Sequence, residues 1–503
     1  MPLLYSTDQI RLAERQAQAR LEPLALMYRA AHTISDACAS AARKLPPNSP
    51  IVALVGPGNN GGDALLAAIH LRRRGFNAQA LVLHAEVSAP DATAALAAAR
   101  AANLPFLSSF PVPTTSQALF IDGLFGIGLS RPIEGLAAQW VHTLNSLPSP
   151  VIAVDVPSGI NADTGAVVGD ARGVAVRACR TLTFLGDKPG LRTGQGRAHA
   201  GDVQVESLGV AVDSSGGTLV SEPEARMLAA PLARSSDSHK GRFGHVAVLG
   251  GSAGMRGAAL LAALGAQRCG AGKVSIGSPD GWRPDATHHP QLMALPSEAI
   301  NAGAYDAWVI GCGIGQSLRS RSVLRRLMRT QGPPRVLDAD ALNLLATDAT
   351  LAAALRADII PAVLTPHPLE AARLLDTTTQ RVQADRVGTA RRLANRYRSI
   401  VVLKGAGSVC AHPEGEWAII NAGSPSLATA GTGDVLAGVI AGLLAQGLPP
   451  AQSACLGAYV HARAGELFEV EGSGTIGLAA GDLPSWVAKA LNLLISPISG
   501  RKT

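Results

Sequence analysis

The sequence predicts an α/β protein with two domains, each built on a parallel sheet covered by helices. Short apolar strands alternate with Ala- and Leu-rich helices through most of the chain, which is the pattern that builds parallel sheets. The chain has 503 residues, more than one hydrophobic core normally organises. Between Val210 and Ser238 the alternation gives way to Ser, Gly, Asp and Pro, so a linker and the domain boundary are expected there.

The elements follow in order from the N-terminus, where Ser6 to Gln9 predicts a capping box at the start of a helix. The strands expected in the first domain are Ile51 to Val55, Ala78 to His84, Ala118 to Ile121, Val151 to Val154 and Thr181 to Leu185. Those expected in the second are His245 to Leu249, Lys273 to Ile276, Ala307 to Ile310, Arg335 to Leu337, Ala362 to Leu364 and Ile400 to Leu403. Ligand sites are expected at the carboxyl ends of these strands.

Composition and charge favour small anionic ligands. The net charge is +7, but the basic residues are scattered, and their densest run, Arg72 to Arg74, falls at the end of a predicted helix. No nucleic-acid partner is expected, because no basic stripe is interleaved with aromatic residues. The longest apolar run, Val435 to Ala445, is about half the length that spans a bilayer. No membrane association is therefore expected. The six cysteines are widely spaced, which favours a reducing cytoplasm.

The first chemical motif is GPGNNGGD, Gly56 to Asp63, which follows a predicted strand and opens a helix reaching about Arg74. Gly56, Gly58 and Gly61 match the G-x-G-x-x-G pattern that places a pyrophosphate at a helix N-terminus. Asp63 is expected in the first turn of this helix, where its charge would repel a pyrophosphate. Asp63 is therefore either a functional residue of the site or an ordinary carboxylate that interacts with the N-terminus of the helix.

Three later strands also end in chemically informative residues. Asp122 follows one strand, and Asp155 to Gly159, DVPSG, follows the next. Oxygen atoms of Asn60, Asp122 and Ser158 would together enclose a hard, weakly dehydrated cation. Lys188, just past the strand Thr181 to Leu185, is either functional or a solvated surface lysine.

The motifs GPGNNGGD, DGLFGIGL, DVPSGINADTG and TLTFLGDKPGL resemble, in this order, the YjeF N-terminal domain, an NAD(P)H-hydrate epimerase with a Rossmann-like three-layer sandwich fold. The resemblance runs from about Ser6 to Gly209. It implies that potassium is bound by Asn60, Asp122 and Ser158, and that Asp155, with Lys188, supplies acid–base catalysis at the reacting ring. The residues that it implies for dinucleotide binding are Asn59, Asn60, Gly61, Gly62, Asp63, Gly126, Ile127, Gly128, Leu129, Ser130, Arg131, Pro132 and Asp155. Ala64 and Tyr28 depart from the Gly and Glu usual in that family.

The second motif is NAGSPSLATAGTGDVL, Asn421 to Leu436, followed by an apolar helix. Backbone amides from Gly431 to Gly433 would form an anion site, and Asp434 stands where a substrate hydroxyl would arrive and lose its proton. The alternative is an Asp that merely caps a buried helix. Upstream, the loop Lys404 to Ser408 suits the phosphates of a nucleotide, and His367 is either a core or capping histidine or a functional one.

With GCGIG, LDADALN, TPHPLEAARLL and VVLKGAGS, these motifs resemble the YjeF C-terminal domain, the ADP- or ATP-dependent NAD(P)H-hydrate dehydratase of the ribokinase-like fold. The resemblance covers about Ser238 to Gly442, and Gln291 departs from its usual Glu. In the implied reaction the ring hydroxyl is phosphorylated and phosphate then leaves, with ADP, accompanied by Mg²⁺, favoured as donor. The residues implied for the hydrate are Ala258, Gly315, His367 and Asp434. Those implied for the nucleotide are Lys404, Gly405, Ala406, Gly407, Ser408 and Gly433.

The sequence therefore predicts an epimerase domain over residues 1–215 and an ADP-dependent dehydratase domain over residues 216–503, acting on the NADH and NADPH hydrates. A homo-oligomer is expected from the resemblance. One alternative is a small-molecule kinase fused to a dinucleotide-binding domain, which would leave DVPSG and NNGGD unexplained. A non-catalytic nucleotide sensor would be expected to lack Asp434 or Asp155. An NAD-dependent oxidoreductase would place an acidic residue, for which Glu86 is the candidate, on a ribose.

Overall fold

The computed structural model describes residues 1–83, 89–111, 118–212, 216–296, 302–472 and 474–496. The chain divides into two compact units, one comprising Leu3–Gly217 and the other comprising Thr218–Thr503 with Met1–Pro2. Both are built on largely parallel sheets, which confirms the α/β prediction. Glu86, the ribose-binding candidate of the oxidoreductase alternative, lies outside the described residues, as does His84.

The N-terminal unit contains a six-stranded sheet in the order β3-β2-β4-β5-β6-β7, and each pair of neighbouring strands is parallel. The described strands are β1 (Leu3–Leu4), β2 (Ile51–Val55), β3 (Ala78–Val82), β4 (Leu119–Gly123), β5 (Val151–Val154), β6 (Arg180–Phe184) and β7 (Asp202–Glu206). The helices are α1 (Thr7–Gln18), α2 (Ala25–Ala42), α3 (Asn59–Arg73), α4 (Pro90–Ala101), α5 (Gly135–Ser146) and α6 (Gly194–Ala200).

The predicted start of α1 is confirmed, because Ser6 and Gln9 form the reciprocal bonds of a capping box. All five predicted strands of this half are present. In the sheet register, Asp122 on β4 pairs with Leu54 on β2 and with Ala153 on β5. The carboxyl ends of β2, β4 and β5 therefore meet at one edge of the sheet.

The C-terminal unit contains a sheet in the order β8-β17-β16-β15-β14-β13-β12-β9-β10-β11. Neighbouring strands are parallel except where β16 pairs with β15 and with β17. The strands are β8 (Gly217–Val220), β9 (His245–Leu249), β10 (Lys273–Ser278), β11 (Met293–Pro296), β12 (Ala307–Ile310), β13 (Arg335–Leu337), β14 (Val363–Leu364), β15 (Ile400–Leu403), β16 (Val409–Ala411) and β17 (Trp417–Ile420). The helices are α7 (Glu222–Ala229), α8 (Arg256–Arg268), α9 (Leu318–Arg329), α10 (Asp340–Thr347), α11 (Ala349–Arg356), α12 (Pro368–Leu375), α13 (Thr379–Ala384), α14 (Arg386–Tyr397), α15 (Thr432–Ala445), α16 (Pro450–Glu471) and α17 (Leu483–Ile495).

All six strands predicted for the second half are present, but the prediction of a linker across Val210 to Ser238 is wrong. Part of that stretch forms β8 and α7. Its Ser and Pro residues, which suggested a loop, start a helix instead: Ser221 caps α7 in a capping box with Glu224, and Pro223 occupies the first turn.

Helices α8 and α15 pack closely in the core of this unit through glycines. A Cβ atom placed on Gly438 would lie 1.9 Å from the Ala262 carbonyl oxygen, and one on Gly265 would lie 2.5 Å from that of Val435. The contact fixes α15, and with it the position of Asp434 in its first turn. Among the described residues, no helix is both long and apolar enough to cross a membrane.

Two candidate active sites

A cavity of about 740 Å³ opens at the carboxyl edge of the N-terminal sheet. Several of the residues predicted to bind the dinucleotide line it, namely Asn59, Asn60, Asp63, Gly126, Ile127, Gly128, Leu129, Ser130, Arg131 and Asp155. The structure also describes Gly61, Gly62 and Pro132, but these do not line the cavity. Gly61 instead allows a close approach to the Gly56 backbone, where a Cβ atom would lie 2.2 Å from the carbonyl oxygen.

Asp63 projects into this cavity from α3. The helix begins at Asn59, so the prediction that Asp63 occupies the first turn is wrong, and it lies in the second. Its side chain is more than nine-tenths buried and has no hydrogen-bond partner among the described residues. Burial, followed by repulsion from Asp155 and Glu14, raises the pKa of Asp63 well above its usual value. The charge repulsion expected between Asp63 and a pyrophosphate is therefore reduced.

Glu14, on α1, is a cavity residue that sequence reasoning missed. Burial, and then the negative charge of Asp155, raises the pKa of its carboxyl group. The helix pattern of α1 gave no sign of this role, because the position of Glu14 in the cavity depends on the tertiary fold. The cavity thus holds at least three neighbouring carboxyl groups, those of Glu14, Asp63 and Asp155.

Asp155 follows β5 and adopts a left-handed backbone conformation, with φ of 64°. Its Oδ1 atom accepts hydrogen bonds from Lys188 Nζ at 2.7 Å, Thr183 Oγ1 at 3.2 Å and the Phe184 amide at 3.1 Å. Oδ2 has no protein partner among the described residues. Asp155 is therefore held in place through Oδ1, and Oδ2 is available for a ligand.

Lys188 lies behind Asp155 and is fully buried. Besides Asp155, its ammonium group contacts Thr183 Oγ1 at 2.7 Å and the carbonyl oxygens of Phe184 and Gly186 at 2.9 and 3.2 Å. With Asp155, four oxygen atoms therefore surround the three N–H donors of this ammonium group, and no donor is left for another ligand. Of the two alternatives for Lys188, that of a solvated surface lysine is thus wrong. A direct catalytic role is also unsupported, since Lys188 does not line the described cavity and instead orients Asp155.

The three predicted cation ligands converge beside the cavity. Asp122 is fully buried and accepts hydrogen bonds from the Ser158 amide at 2.8 Å and from Ser158 Oγ at 2.6 Å. Asn60 donates its Nδ2 proton to the Val154 carbonyl at 2.7 Å, and its Oδ1 atom lies against Gly126. Burial raises the pKa of Asp122 to about 6, against the opposing effect of the Ser158 bonds. The cluster offers oxygen ligands and a buried carboxyl group that a bound cation would favour in its charged form.

In the C-terminal unit, Asp338, Lys404 and Asp434 meet at the carboxyl edge of the sheet. Lys404 Nζ lies 2.7 Å from Asp338 Oδ1. A Cβ atom on Gly433 would lie 3.1 Å from that ammonium group. The absence of a side chain at Gly433 therefore lets the ammonium group of Lys404 approach α15. Burial lowers the pKa of Lys404, but the negative charges of Asp338 and Glu370 have the larger effect. The pKa of Lys404 is therefore raised above its usual value. Lys404 is therefore a permanent cation beside the helix N-terminus.

Asp434 is half-buried in the first turn of α15, where Gly431 caps the helix in a left-handed conformation. Burial, and then repulsion from Asp338, raises the pKa of Asp434 to about 6. Such a carboxyl group is mostly ionised at neutral pH and is basic enough to accept a proton from a substrate.

Cys312, in the GCGIG loop after β12, is a second residue that sequence reasoning missed. Its fully buried thiol forms a hydrogen bond with Asp434 that lowers the pKa of the carboxyl group. Ligand atoms of Cys312, Asp338 and Asp434 all lie within 4.8 Å of one another. Burial, and then the charges of Asp434 and Asp338, raises the pKa of the thiol well above its usual value, so it remains protonated and can donate.

His367 is the N-cap of α12, in agreement with the capping interpretation of this residue. Its Nδ1 atom accepts from the amides of Leu369 and Glu370 at 3.1 and 3.2 Å, while its own amide donates to Glu370 Oε2 at 2.8 Å. Burial lowers the pKa of His367, so a neutral imidazole is favoured. The His367 side chain is half-exposed, and its Nε2 atom lies 3.3 Å from Glu370 Oε1.

The predicted nucleotide loop follows β15. Gly405 and Gly407 have φ values of 136° and 59°, conformations that favour glycine. Buried Arg386 donates to the carbonyl groups of Leu403 and Lys404 at 3.2 and 3.1 Å. These bonds fix the position of the start of the loop. Ser408 Oγ donates to the Gly405 carbonyl at 3.1 Å and closes the turn, which also contains Ala406.

The two remaining predicted hydrate residues lie near the loop after β12. The amide of Gly315 donates to Asp340 Oδ2 at 2.9 Å. Ala258, on α8, is next to Gly313, whose Cβ position would be 3.1 Å from the Ala258 Cβ atom. The loop that carries Cys312 thus connects the Asp434 region with Ala258 and Gly315.

Comparison with known proteins gives matches across both halves. Residues 23–190 match the model of the YjeF-related protein N-terminus, and residues 246–484 match that of NAD(P)H-hydrate dehydratase. The chain is 36% identical over 499 residues to the bifunctional NAD(P)H-hydrate repair enzyme Nnr of Coxiella burnetii, covering 96% of this chain and 98% of the relative. It is 35% identical over 501 residues to that of Escherichia coli, covering 97% and 94%. A solved ADP/ATP-dependent NAD(P)H-hydrate dehydratase from Bacillus subtilis is 27% identical, covers 56% of this chain and 100% of its own, and has a TM-score of 0.49.

Proposed function

Because this chain belongs to the family of bifunctional NAD(P)H-hydrate repair enzymes, we propose that its two activities divide between its two halves. As a member of this family, the chain is an enzyme that epimerises hydrated NAD(P)H and dehydrates it with the help of a nucleotide. We assign the epimerase to residues 1–215 and the dehydratase to residues 216–503. The observation that carries this division is that each compact unit contains its own acid–base site at the carboxyl edge of its own sheet.

In the epimerase site, the loop from Asn59 and the loop from Gly126 hold the dinucleotide, and Asp155 contacts the hydrated ring. The free Oδ2 atom of Asp155 accepts the proton of the ring hydroxyl. Lys188 orients this carboxylate through their ion pair and remains out of contact with the substrate.

Potassium would be held by Asn60, Asp122 and Ser158. The residues fit it, because all three offer oxygen atoms and Asp122 is a buried carboxyl group without a cationic partner among the described residues. The ion would supply a fixed positive charge next to the dinucleotide loops. Asn60 would connect the bound ion with the bound dinucleotide, since it lines the cavity and also belongs to the cation cluster.

In the dehydratase site, Asp434 accepts the proton of the ring hydroxyl, which makes its oxygen a nucleophile toward the terminal phosphorus of the nucleotide. Amides at the start of α15, including that of Gly433, and the Lys404 ammonium group face the transferring phosphoryl group. Departure of phosphate, together with loss of a proton from the neighbouring ring carbon, then restores the double bond of the dihydronicotinamide ring. Ala258, Gly315 and His367 form the wall for the hydrate, and Lys404 to Ser408 hold the nucleotide.

ADP is the donor that we propose, with AMP and phosphate as products. Magnesium would be carried by the nucleotide's phosphates and by water, as this ion prefers. The cluster of Cys312, Asp338 and Asp434 does not fit it, because a thiol is a soft ligand and Lys404 already neutralises Asp338. We further propose a cytoplasmic homo-oligomer; its six cysteines, all unpaired in the structure, suit a reducing compartment.

The assignment is tested with purified R and S epimers of NADH hydrate. The S epimer with ADP should regain the absorbance of reduced nicotinamide, with stoichiometric AMP and phosphate. The R epimer should follow only after epimerisation. Absence of ADP-dependent recovery from the S epimer would contradict the dehydratase assignment, and R-epimer conversion no faster than the spontaneous rate would contradict the epimerase assignment.

A further inference from the structure

Two carboxyl groups in the epimerase cavity, those of Asp155 and Asp63, differ in whether they have hydrogen-bond partners. Asp155 is bound by an ammonium group, a hydroxyl group and an amide through one oxygen. Asp63 is more than nine-tenths buried, lines the same cavity and has no hydrogen-bond partner among the described residues. Buried polar groups in proteins nearly always have a partner, so an unpartnered carboxyl group facing a cavity points to a ligand.

The substrate offers a matching pair of atoms. Water adds to the dihydronicotinamide ring at the carbon next to the ring nitrogen, which leaves nitrogen and hydroxyl on one carbon. Such a carbon inverts if its bond to nitrogen breaks and re-forms on the other face. That route needs a base for the hydroxyl proton and an acid for the nitrogen at the same time.

We infer that, within the proposed epimerase site, the Asp63 carboxyl group protonates the ring nitrogen while the Asp155 carboxylate removes the hydroxyl proton. The oxygen electron pair forms a carbonyl bond, the carbon–nitrogen bond breaks, and its electron pair takes the Asp63 proton. Rotation about the adjacent carbon–carbon bond turns the other face of the aldehyde toward the nitrogen. Nitrogen then attacks, Asp63 recovers its proton and Asp155 returns its own to the oxygen, so no oxidant or reductant is consumed.

The surroundings of Asp63 suit this acid role. The charged groups that line the cavity around it are Asp155 after β5, Glu14 and Arg11 on α1, Glu22 before α2, Asp91 on α4 and Arg131 after β4. Burial, and then the negative charges of Asp155, Glu14 and Asp91, raises the pKa of Asp63. The raised pKa favours the protonated form of Asp63, which is the form that an acid needs. The Asp155 carboxylate, which serves as the base, is oriented by Lys188 at 2.7 Å.

The decisive variant is Asp63→Asn in the full chain, because an amide keeps the shape of the side chain but has no proton to transfer. Turnover of the R epimer should fall by about 10²- to 10⁴-fold with a small change in KM. Dehydration of the S epimer by the same molecules provides the internal reference. Asp36→Asn, which makes the same chemical change outside the cavity, should leave both rates within about twofold.

A second variant gives a readout that a purely structural role of Asp63 would not produce. Glu14→Gln removes a negative charge that raises the pKa of Asp63, so the alkaline limb of R-epimer turnover should move to lower pH. In Asp63→Asn the residual rate should have no such limb. Substrate carrying ¹⁸O in its hydroxyl group should keep the label through epimerisation in the absence of ADP.

Three results would overturn the inference. The first is an Asp63→Asn turnover within about tenfold of the wild type, and the second is an alkaline limb unmoved in Glu14→Gln. The third is complete exchange of the ¹⁸O label in every epimerisation event, because loss and re-addition of water replaces the oxygen each time, whereas hydration of an enclosed aldehyde would replace only part of it. Failure of the wild-type chain to convert the R epimer at all would instead contradict the proposed function.

Discussion

Replacing Cys312 with alanine should shift the pH dependence of the dehydratase without removing its base. With a pKa of about 6 for Asp434, about nine-tenths of this group is ionised at pH 7. The Cys312 thiol stabilises the ionised form through its hydrogen bond. A bond of this kind contributes about 0.5–1.5 kcal/mol, which corresponds to about 0.4–1.1 pKa units.

The direction in which the acid limb moves follows from which form of Asp434 is active. Loss of the thiol raises the pKa of Asp434, and because the carboxylate is the active base, the acid limb of kcat/KM moves to higher pH by that amount. The assay is the initial rate of NADH formation from the S epimer and ADP between pH 5 and about 9, with acid decay subtracted from an enzyme-free blank. Cys312→Ser, which retains a donor, is the matched control. An acid limb that stays in place in Cys312→Ala, or moves equally in both variants, would refute the reasoning.

Three further predictions concern the remaining groups. Asp434→Asn should lower dehydratase turnover by about 10²- to 10⁴-fold and leave ADP binding intact by calorimetry; a variant with more than about a tenth of wild-type turnover would exclude the general-base role. Asp155→Asn should block use of the R epimer and spare the S epimer in initial-rate assays, whereas equal losses on both would mean that the halves share one site. Replacing potassium with lithium should slow R-epimer turnover alone, and crystals grown in potassium should show density among the three oxygen ligands; a dialysed enzyme indifferent to the ion would count against that cluster.

The strands that the sequence predicted well are those buried on both faces. Ile51–Val55 and His245–Leu249 consist almost entirely of apolar residues, and the structure reproduces both ranges. The missed strands are short or partly exposed. Asp202–Glu206 lies at the edge of its sheet and mixes acidic with apolar residues. No continuous apolar run therefore indicated a strand there.

The candidate sites show a similar division. Residues at strand ends, such as Asp122 and Asp155, were expected to gather at one edge because parallel strands place their carboxyl ends together, and the structure brings them there. The contributions of Glu14 and Cys312 could not be predicted. Glu14 comes from a helix distant in sequence. The contribution of Cys312 depends on its thiol lying against a carboxyl group in the first turn of α15.

The glycine contacts between α8 and α15 limit how this enzyme can be stabilised for laboratory use. Exchanging a helical glycine for alanine is a routine way to gain about 0.4–1 kcal/mol. At Gly265, Gly438 and Gly442 the added methyl group would meet backbone oxygens at 2.5, 1.9 and 2.8 Å. The two helices would have to separate, and the helix that carries Asp434 would move with them. A thermostabilisation campaign should therefore leave these three positions unchanged and replace glycines that have open surroundings and no positive φ, such as Gly481.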